Sequence, residues 1–307
     1  MASRVVVTGA GGFIGTNFLS SAGTEVAVGI DRQFRYGEPT GALLLDIRST
    51  SALKNLLEPG DIVVHLAAVS SVESSVRHPR ATILSNIDMW LQVLEAARTS
   101  GVRRLVVAST AGAIGGRQEP PFGPETLPRP ISPYGASKAA VESCAFAYAS
   151  SFGLDIRIVR FGNVIGPYSW HKKNLVPNVM RWGLGLSSLR VSGGHQTREF
   201  TDVADICRLL WTAVREEGTG RDVSIVHAGS GFETSVDALV ELCNALPGFA
   251  PTEAVERTSI RETFDVARAY SILSSAPIAD PAERLRGSLR ETWDWFRKSH
   301  LLMTETR

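Results

Sequence analysis

The sequence of this 307-residue chain predicts an α/β fold, with a Rossmann-type doubly wound parallel sheet and a smaller C-terminal substrate domain. Short runs rich in Val and Ile alternate with helical patterns in the N-terminal half, which is typical of a parallel sheet covered on both faces. A glycine-rich turn, Gly9–Gly15, follows the first run. The alternation loosens after Gly166, so we expect domains at 1–167 and 168–307, with parts of 200–227 returning to the first.

The predicted strands are short, continuous apolar runs, as expected for strands buried on both faces. They are Arg4–Thr8, Val26–Ile30, Ala42–Leu45, Asp61–His65, Arg104–Ala108 and Asp155–Arg160. The predicted helices carry apolar residues three and four positions apart. They are Phe13–Ser21, Arg80–Thr99, Tyr134–Ser151, Asp202–Glu216 and a last helix near Pro281–Lys298, whose Trp293, Trp295 and Phe296 we interpret as packing residues.

Composition and charge exclude several classes of function. The formal net charge is +1, so no overall field favours nucleic acid or an anionic membrane surface. No run approaches the roughly 18 apolar residues that a membrane-spanning helix requires. The N-terminal residues lack a secretory signal pattern, and Cys144, Cys207 and Cys243 show no pairing motif, so we expect a cytoplasmic protein with free thiols. The six histidines show no metal-ligand spacing, and we expect no metal.

The glycine-rich turn predicts a dinucleotide-binding site. Gly9 permits a tight turn, Gly12 lets a pyrophosphate approach the backbone, and Gly15 allows the next helix to pack closely on the sheet. The N-terminus of that helix offers free N–H groups to phosphates. Asp31 follows about 20 positions after the glycines, where a carboxylate can bind the adenosine ribose and repel a 2′-phosphate. We therefore expect NAD rather than NADP, although Arg32 could receive that phosphate.

A second motif predicts redox chemistry at a secondary alcohol. Tyr134 and Lys138 lie one helical turn apart and share a face. A phenol has a pKa of about 10, and an ammonium roughly 5 Å away would lower that pKa by about two units at an effective dielectric of about 20. Ser109 and Thr110 end the preceding predicted strand, and either hydroxyl could orient a substrate alcohol.

The order of these motifs resembles the NAD-dependent nucleotide-sugar epimerase/dehydratase family of extended short-chain dehydrogenases/reductases, in particular its UDP-glucose 4-epimerase-like members. The resemblance runs along nearly the whole chain. Its segments are TGAGGFIG at Thr8–Gly15, LDIR at Leu45–Arg48, HLAA at His65–Ala68, SPYGASKAAVE at Ser132–Glu142, RFGNVIGP at Arg160–Pro167, NLVP at Asn174–Pro177 and GGHQTREFTDVAD at Gly193–Asp205.

The resemblance implies roles for individual residues. Tyr134 would be the base, Lys138 the ribose-binding lysine and Thr110 the substrate-orienting hydroxyl, with Ser109 as the alternative. The residues implied to contact NAD, besides Tyr134 and Lys138, are Gly9, Gly12, Phe13, Ile14, Gly15, Asp31, Asp46, Ile47, Leu66, Ala67, Ala68 and Asn86. Those implied to hold the nucleotide part of the substrate are Asn163, Asn174 and Arg198 at the diphosphate, Arg190 and Ser192 near the base, and Arg257, whose spacing to Asp265 is unusual.

Three departures from the family pattern bear on the reaction. Sugar 4,6-dehydratases carry Asp-Glu after the strand-end threonine, and sugar-nucleotide decarboxylases also place a Glu there, whereas Ala-Gly-Ala follows Thr110 here. Ile114 stands where the family usually has Tyr, which makes the pocket more apolar. Glu199 replaces the usual Asp, which is a mild change.

We therefore expect NAD-dependent epimerisation of a nucleotide sugar, a UDP-sugar, at C4 through a transient 4-keto intermediate. The alternative is an NAD(P)-dependent nucleotide-sugar 4-ketoreductase or dehydrogenase. A non-catalytic nucleotide-binding protein of the same fold is least favoured, because Tyr134 and Lys138 are both present. The resemblance also implies a homodimer formed through the predicted helices Arg80–Thr99 and Tyr134–Ser151.

Overall fold

The computed structural model describes residues 3–23, 25, 27–48, 50–110, 122–123, 126–217, 222–258 and 279–305. The sequence predictions for Val26, for the Ala-Gly-Ala run after Thr110, and for Ile114 lie outside the described residues. Within them, no helix is both long and apolar enough to cross a membrane.

The described strands and helices alternate from the first residues onward. The strands are β1 (Val5–Thr8), β2 (Ala27–Asp31), β3 (Leu43–Leu44), β4 (Ile62–His65), β5 (Arg104–Thr110), β6 (Ile156–Phe161), β7 (Asn163–Ile165), β8 (Arg190–Ser192), β9 (Thr197–Asp202), β10 (Val223–Ala228), β11 (Glu233–Ser235) and β12 (Glu256–Thr258). The helices are α1 (Phe13–Ser20), α2 (Thr50–Leu56), α3 (Val72–Arg77), α4 (Pro79–Ser100), α5 (Pro133–Phe152), α6 (Leu175–Gly183), α7 (Val203–Arg215), α8 (Val236–Asn244) and α9 (Pro281–Glu305).

The chain divides into two compact units. The first comprises Met1–Gln118, Gly123–Phe161 and Ala204–Ala228, and the second comprises Glu119–Phe122, Gly162–Val203 and Gly229–Arg307. The first unit is thus built from segments that are separated in sequence.

The first unit contains a seven-stranded sheet in the order β10-β6-β5-β4-β1-β2-β3. Every pair of neighbouring strands is parallel. The order reverses between β1 and β4, and in open α/β sheets ligands bind beyond the carboxyl ends of the strands at this point of reversal. The predicted fold class is confirmed, and the glycine-rich turn lies at that edge.

The core of the first unit explains why the strands read as continuous apolar runs. Val5, Val6 and Val7 are all buried, as are Val63 and Val64 in the neighbouring strand β4. Trp90 and Leu94 of α4 pack into the same core. The strands therefore need apolar side chains on both faces rather than on alternate residues.

The second unit has its own core and two small sheets. Strand β9 lies between β7, to which it is parallel, and β11, to which it is antiparallel, while β8 and β12 form a separate parallel pair. Trp293 and Phe296 of α9 are buried in the core of this unit, and the indole N–H of Trp293 donates to the Pro247 carbonyl at 2.9 Å. The interpretation of this tryptophan-rich helix as a packing element is confirmed.

Candidate active site

The turn after β1 has no room for a side chain at Gly9 or at Gly15. Gly9 has a φ of +77°, and a Cβ atom there would lie 2.5 Å from the backbone nitrogen of Ala67, which follows β4. A Cβ atom at Gly15 would lie 2.2 Å from the Gly9 carbonyl oxygen. The turn therefore requires glycine at both positions, so that the backbones of β1, β4 and α1 approach closely.

The third glycine of the turn opens α1. Gly12 is the N-cap residue, and no side chain caps the helix N-terminus there. A Cβ atom at Gly12 would meet only the Gly9 carbonyl oxygen, at 3.1 Å. The first N–H groups of α1 are therefore presented with no capping side chain over them, which fits the pyrophosphate of a dinucleotide.

Asp31 lies at the end of β2, directly beside this turn. Its Oδ2 accepts a hydrogen bond from the Gly11 N–H at 3.0 Å, and its Oδ1 accepts from the Arg32 and Gln33 N–H groups at 2.7 and 3.3 Å. The carboxylate therefore helps to hold the turn and is fixed next to it. Arg32 is exposed.

The other residues implied to contact the cofactor have varied surroundings. Asp46 forms an ion pair with Arg48 at 2.5 Å, and hydrogen bonds from Arg48 lower the pKa of the Asp46 carboxyl to about 2. Ile47 is buried in the core of the first unit. Phe13 of α1 is also buried. Ile14, Leu66, Ala67 and Ala68 are partly exposed.

Asn86 of α4 links the segment after β4 to helix α5. Its Oδ1 accepts from the Val69 N–H at 2.8 Å, and its Nδ2 donates to the Val69 carbonyl at 3.2 Å and to the Ser137 hydroxyl at 2.9 Å. The buried amide thus makes hydrogen bonds to two elements of the site. Its observed contacts position α5, and a direct contact with NAD stays a prediction.

Helix α5 carries Tyr134 in its first turn, because the helix begins at a well-defined cap. The Ser132 hydroxyl accepts a hydrogen bond from the Gly135 N–H at 3.0 Å, and Pro133 occupies the first helical position. The helix ends at Gly153, which adopts the left-handed conformation. These end signals fix which residues of α5 lie at the carboxyl edge of the sheet.

Burial governs the electrostatics of the Tyr134–Lys138 pair. It raises the pKa of the Tyr134 phenol to about 12 and lowers the pKa of the Lys138 ammonium to about 8, an effect that Glu142 opposes. The Lys138 Nζ donates to the Ala108 carbonyl at 2.9 Å. The sequence predicts a lowered phenol pKa instead, because the charge of Lys138 alone would stabilise the phenolate. In the folded chain, the phenolate would also lose its hydration, and this loss raises the pKa.

The two hydroxyls at the end of β5 have different surroundings. The buried Ser109 hydroxyl donates to Glu142 Oε1 at 2.6 Å, whereas Thr110 is partly exposed. Successive residues of a strand point to opposite faces, so only one of the two can face a given side of the sheet. Ser109 is therefore engaged by Glu142, and contact of Thr110 with a substrate stays a prediction.

His65, at the end of β4, is a packing residue. It is 2% exposed, its Nδ1 lies 2.7 Å from the Thr8 hydroxyl, and its ring stacks on Trp90 with centroids 5.2 Å apart. Burial, aided by the charge of Lys138, lowers the pKa of its imidazole to about 3.

Sequence reasoning missed a buried charged cluster behind Lys138. Glu142 of α5 binds Arg160 of β6, with Oε1 at 2.9 Å from Nε and Oε2 at 2.6 Å from Nη2. His227 of β10 lies 3.4 Å from Arg160 through its Nε2. The available signal was the spacing of Glu142, which follows Lys138 by one helical turn.

The residues implied to bind the substrate nucleotide lie in the second unit, in three places. Asn163 of β7 donates to the Glu199 carbonyl at 3.2 Å, and Arg198 lies on the adjacent strand β9, where it donates to the Thr197 carbonyl at 2.7 Å. Asn174 is the exposed N-cap residue of α6.

The third place is the β8–β12 pair. Arg190 is exposed and donates to Glu256 at 2.9 Å, and the hydroxyl of Thr258 lies 3.4 Å from that of Ser192. Arg257 binds Asp237 and also donates to the Gly193 carbonyl at 3.1 Å. The structure therefore brings Ser192 and Arg257 close together on neighbouring strands, while Arg257 is already engaged by an aspartate.

No metal-ligand cluster accompanies these residues. The described part of the chain contains no group of three His, Cys, Asp or Glu side chains that could hold a metal ion. His195 is fully exposed, with Nδ1 3.7 Å from Asp237. The site described above is therefore one of glycines, hydroxyls, a phenol and a lysine.

Comparison with known proteins identifies the family. The family model described as "NAD dependent epimerase/dehydratase family" matches residues 5–226, more than half of the chain. The chain belongs to this family. The resemblance deduced from the sequence motifs is thereby confirmed, and so is NAD as the family's cofactor.

Individual relatives cover nearly the whole chain. A UDP-glucuronate 4-epimerase from Thermodesulfobacterium geofontis is 29% identical over 321 residues, covering 96% of each protein. A dTDP-glucose 4,6-dehydratase from an Actinoplanes species is 28% identical, covering 96% of this chain and 98% of the relative. The structure of MoeE5 in complex with UDP-glucuronic acid and NAD matches with a TM-score of 0.83 and 28% identity, covering 97% of this chain and all of that one. The chain is therefore an enzyme of a family that includes both epimerases and dehydratases.

The burial of His65 predicts a pH dependence of stability. The folded state keeps the imidazole neutral down to a pKa of about 3, whereas the unfolded chain takes up a proton below about 6.5. The contribution of His65 to the free energy of unfolding is therefore complete above pH 6.5 and is lost progressively toward pH 3. We expect a loss of about 5 kcal/mol over that window. Urea unfolding at a series of pH values should show that the free energy of unfolding falls more steeply toward low pH in the native chain than in His65→Gln. Equal slopes would contradict this prediction.

The position of Asp31 predicts a preference for NAD over NADP. Asp31→Asn keeps an oxygen acceptor for the Gly11 N–H and removes the negative charge. It should narrow the NAD/NADP affinity ratio by about tenfold, because the repulsion of a 2′-phosphate is relieved. Calorimetric titration with both dinucleotides measures this ratio. Arg32→Ala is the control. If Arg32→Ala lowers the NADP affinity while Asp31→Asn leaves the NAD/NADP affinity ratio unchanged, this ratio is set by Arg32 and not by Asp31.

Proposed function

We propose that this protein epimerises a UDP-sugar at C4 through a transient 4-keto intermediate. The observation that carries the proposal is the set of Thr110 at the end of β5 and Tyr134 and Lys138 at the start of α5, together with the Ala-Gly-Ala that follows Thr110 in place of a carboxylate pair. Elimination of water from a sugar needs an acid and a base beyond those that move the O4 proton. A chain without that pair retains the groups for oxidation and reduction at one carbon.

Tyr134 acts as the base in this proposal, and a neighbouring charge stabilises its deprotonated form, the phenolate. NAD, when bound, accepts the hydride of C4 and returns it. Tyr134 takes the O4 proton, which requires a pKa well below the value of about 12 that burial alone produces. Lys138, with a pKa of about 8, is protonated at neutral pH, and its charge on the same helix face stabilises the phenolate. Thr110 orients the sugar hydroxyl.

Arg198 and Asn163 hold the substrate diphosphate in this proposal. Asn163 pairs with Phe200 in the parallel β7–β9 ladder, and Arg198 is two residues from Phe200 on the same strand. Asn163 and Arg198 therefore belong to one face of that sheet. A guanidinium and a side-chain amide recognise phosphate oxygens without any overall positive charge on the protein. We assign Arg257 a smaller part, because Asp237 already engages it.

The protein works as a cytoplasmic homodimer in this proposal. Helices α4 and α5 pack together in the first unit and carry exposed apolar side chains at Leu84, Phe146 and Phe152. Pairing these two helices with a second copy would cover that apolar surface. This assignment follows the family resemblance and is checked by the mass of the protein in solution.

The reaction is tested by incubating the protein with a panel of UDP- and dTDP-sugars and following the sugar ring by proton NMR. A C4 epimer formed without added dinucleotide supports the proposal. A 4-keto-6-deoxy product would show a dehydratase. A product formed only with stoichiometric NAD(P)H would show a ketoreductase.

Tyr134→Phe should lower turnover by at least about a thousandfold, because no other group replaces the base. Affinity for NAD and the melting temperature should change little. The matched control is Tyr148→Phe on the same helix, whose hydroxyl donates to Glu95 at 2.7 Å far from the proposed chemistry. A Tyr134→Phe variant that turns over like Tyr148→Phe would remove Tyr134 from the base role.

Arg198→Ala should raise the Michaelis constant for the nucleotide sugar by roughly 10- to 150-fold, the value of one charge-assisted contact. Affinity for NAD should stay unchanged. Arg286→Ala, which removes an exposed arginine of α9 paired with Glu283 at 3.1 Å, is the control for surface charge. A lowered melting temperature with unchanged kinetics would assign Arg198 a structural role instead.

A further inference from the structure

A buried ion pair lies directly behind the Tyr134–Lys138 pair. Glu142 and Arg160 are each 3% exposed and make two parallel hydrogen bonds, at 2.9 and 2.6 Å. The Ser109 hydroxyl donates a third hydrogen bond to Glu142, at 2.6 Å. The carboxylate is therefore held from β5 and from β6 at once, and its position is fixed.

Stability alone is a poor reason for this arrangement. Two charges withdrawn from water lose hydration that their mutual attraction only about offsets, and an apolar pair of similar volume is often as stable. The location of the pair is more informative. Glu142 follows Lys138 by one turn on the same face of α5, and Ser109 follows Ala108, whose carbonyl binds the Lys138 ammonium.

The titratable and charged groups near Lys138 come from four elements. Tyr134 and Glu142 lie one turn before and one turn after it on α5, and His65 of β4 interacts with its charge. Arg160 of β6 binds Glu142 and lies 3.4 Å from His227 of β10. Burial lowers the pKa of His65 to about 3 and that of His227 to about 4, so both imidazoles are neutral near pH 7. The protonated phenol is neutral as well. Glu142 therefore supplies the negative charge within this group.

We propose that Glu142 is a positioning residue for the reaction: clamped by Arg160 and Ser109, its carboxylate keeps the buried Lys138 ammonium charged and directed at the end of β5. This inference rests on the proposed function only in assigning Lys138 a part in the chemistry. The electrostatic effect on Lys138 itself is independent of the substrate. Glu142 opposes the effect of burial on the Lys138 pKa, in agreement with this geometry.

The test measures the titration of Lys138 directly. The chain has only five lysines, so lysine labelled with ¹³C at Cε gives a simple spectrum, and Lys138→Met identifies the Lys138 signal. In the full chain saturated with NAD, Glu142→Gln should lower the midpoint of the Lys138 titration by at least about one pH unit, because the buried ammonium then loses the nearby carboxylate. The alkaline limb of the pH profile of kcat/KM should move to lower pH by the same amount.

The matched control is Asp155→Asn in the same unit. Asp155 is also a buried carboxylate, paired with Arg104 at 2.7 Å and Arg157 at 2.6 Å, but it precedes β6, at the opposite edge of the sheet. This variant should lose stability while the Lys138 midpoint stays at the native value. An equal shift in both variants would mean that loosened packing, and not the Glu142 charge, controls Lys138, and it would overturn the proposal.

A second variant covers the case in which Glu142→Gln alone does not fold. Glu142→Gln combined with Arg160→Gln leaves no buried charge without a partner, and the Lys138 midpoint should still fall. An unchanged midpoint in the double variant would refute the inference. A lowered midpoint in a chain that converts none of the nucleotide sugars would uphold this inference and refute the proposed function, so the two failures are distinguishable.

Discussion

The contact on which the site depends is the close approach of two backbones, at Gly9 after β1 and at Ala67 after β4. These strands flank the point where the strand order reverses, and any side chain at Gly9 would force them apart. The same approach leaves the first N–H groups of α1 beside Asp31 and sets the segment after β4 against Asn86. Through Ser137, Asn86 then fixes the helix that carries Tyr134 and Lys138. A single steric requirement thus aligns the predicted cofactor residues with the predicted catalytic residues.

Burial, more than pairwise attraction, determines the charges at this edge of the sheet. It raises the pKa of Tyr134 and lowers the pKa values of Lys138, His65 and His227, so each group is driven toward its neutral form. The Glu142–Arg160 pair keeps both of its charges at this edge, because each neutralises the other through hydrogen bonds. In the proposed mechanism, Lys138 therefore depends on a buried anion that does not touch the reacting atoms.

The sequence was informative wherever a single residue type answers a local steric or solvation requirement. Continuous apolar runs identified β1, β4 and β5, and the glycine spacing located the turn. The short helices α2 and α3 were not predicted, because six or seven residues are too few to show a helical period. The partners of Ser109, Asn86 and Glu142 were also missed, since they come from elements 17 to 51 residues away and are brought together only by the sheet order.

The discontinuity of the first unit has a consequence for synthesis on the ribosome. Strand β10, at one edge of the sheet, is translated after Gly162–Val203 of the second unit, and the carbonyls of Ala213 and Val214 that bind the buried Arg104 also arrive late. A nascent chain that ends before residue 204 has an open β6 edge and an Arg104 without these partners. Unpaired edges of this kind invite pairing with other chains. The emerging polypeptide therefore needs protection from aggregation until its last sheet strand leaves the exit tunnel.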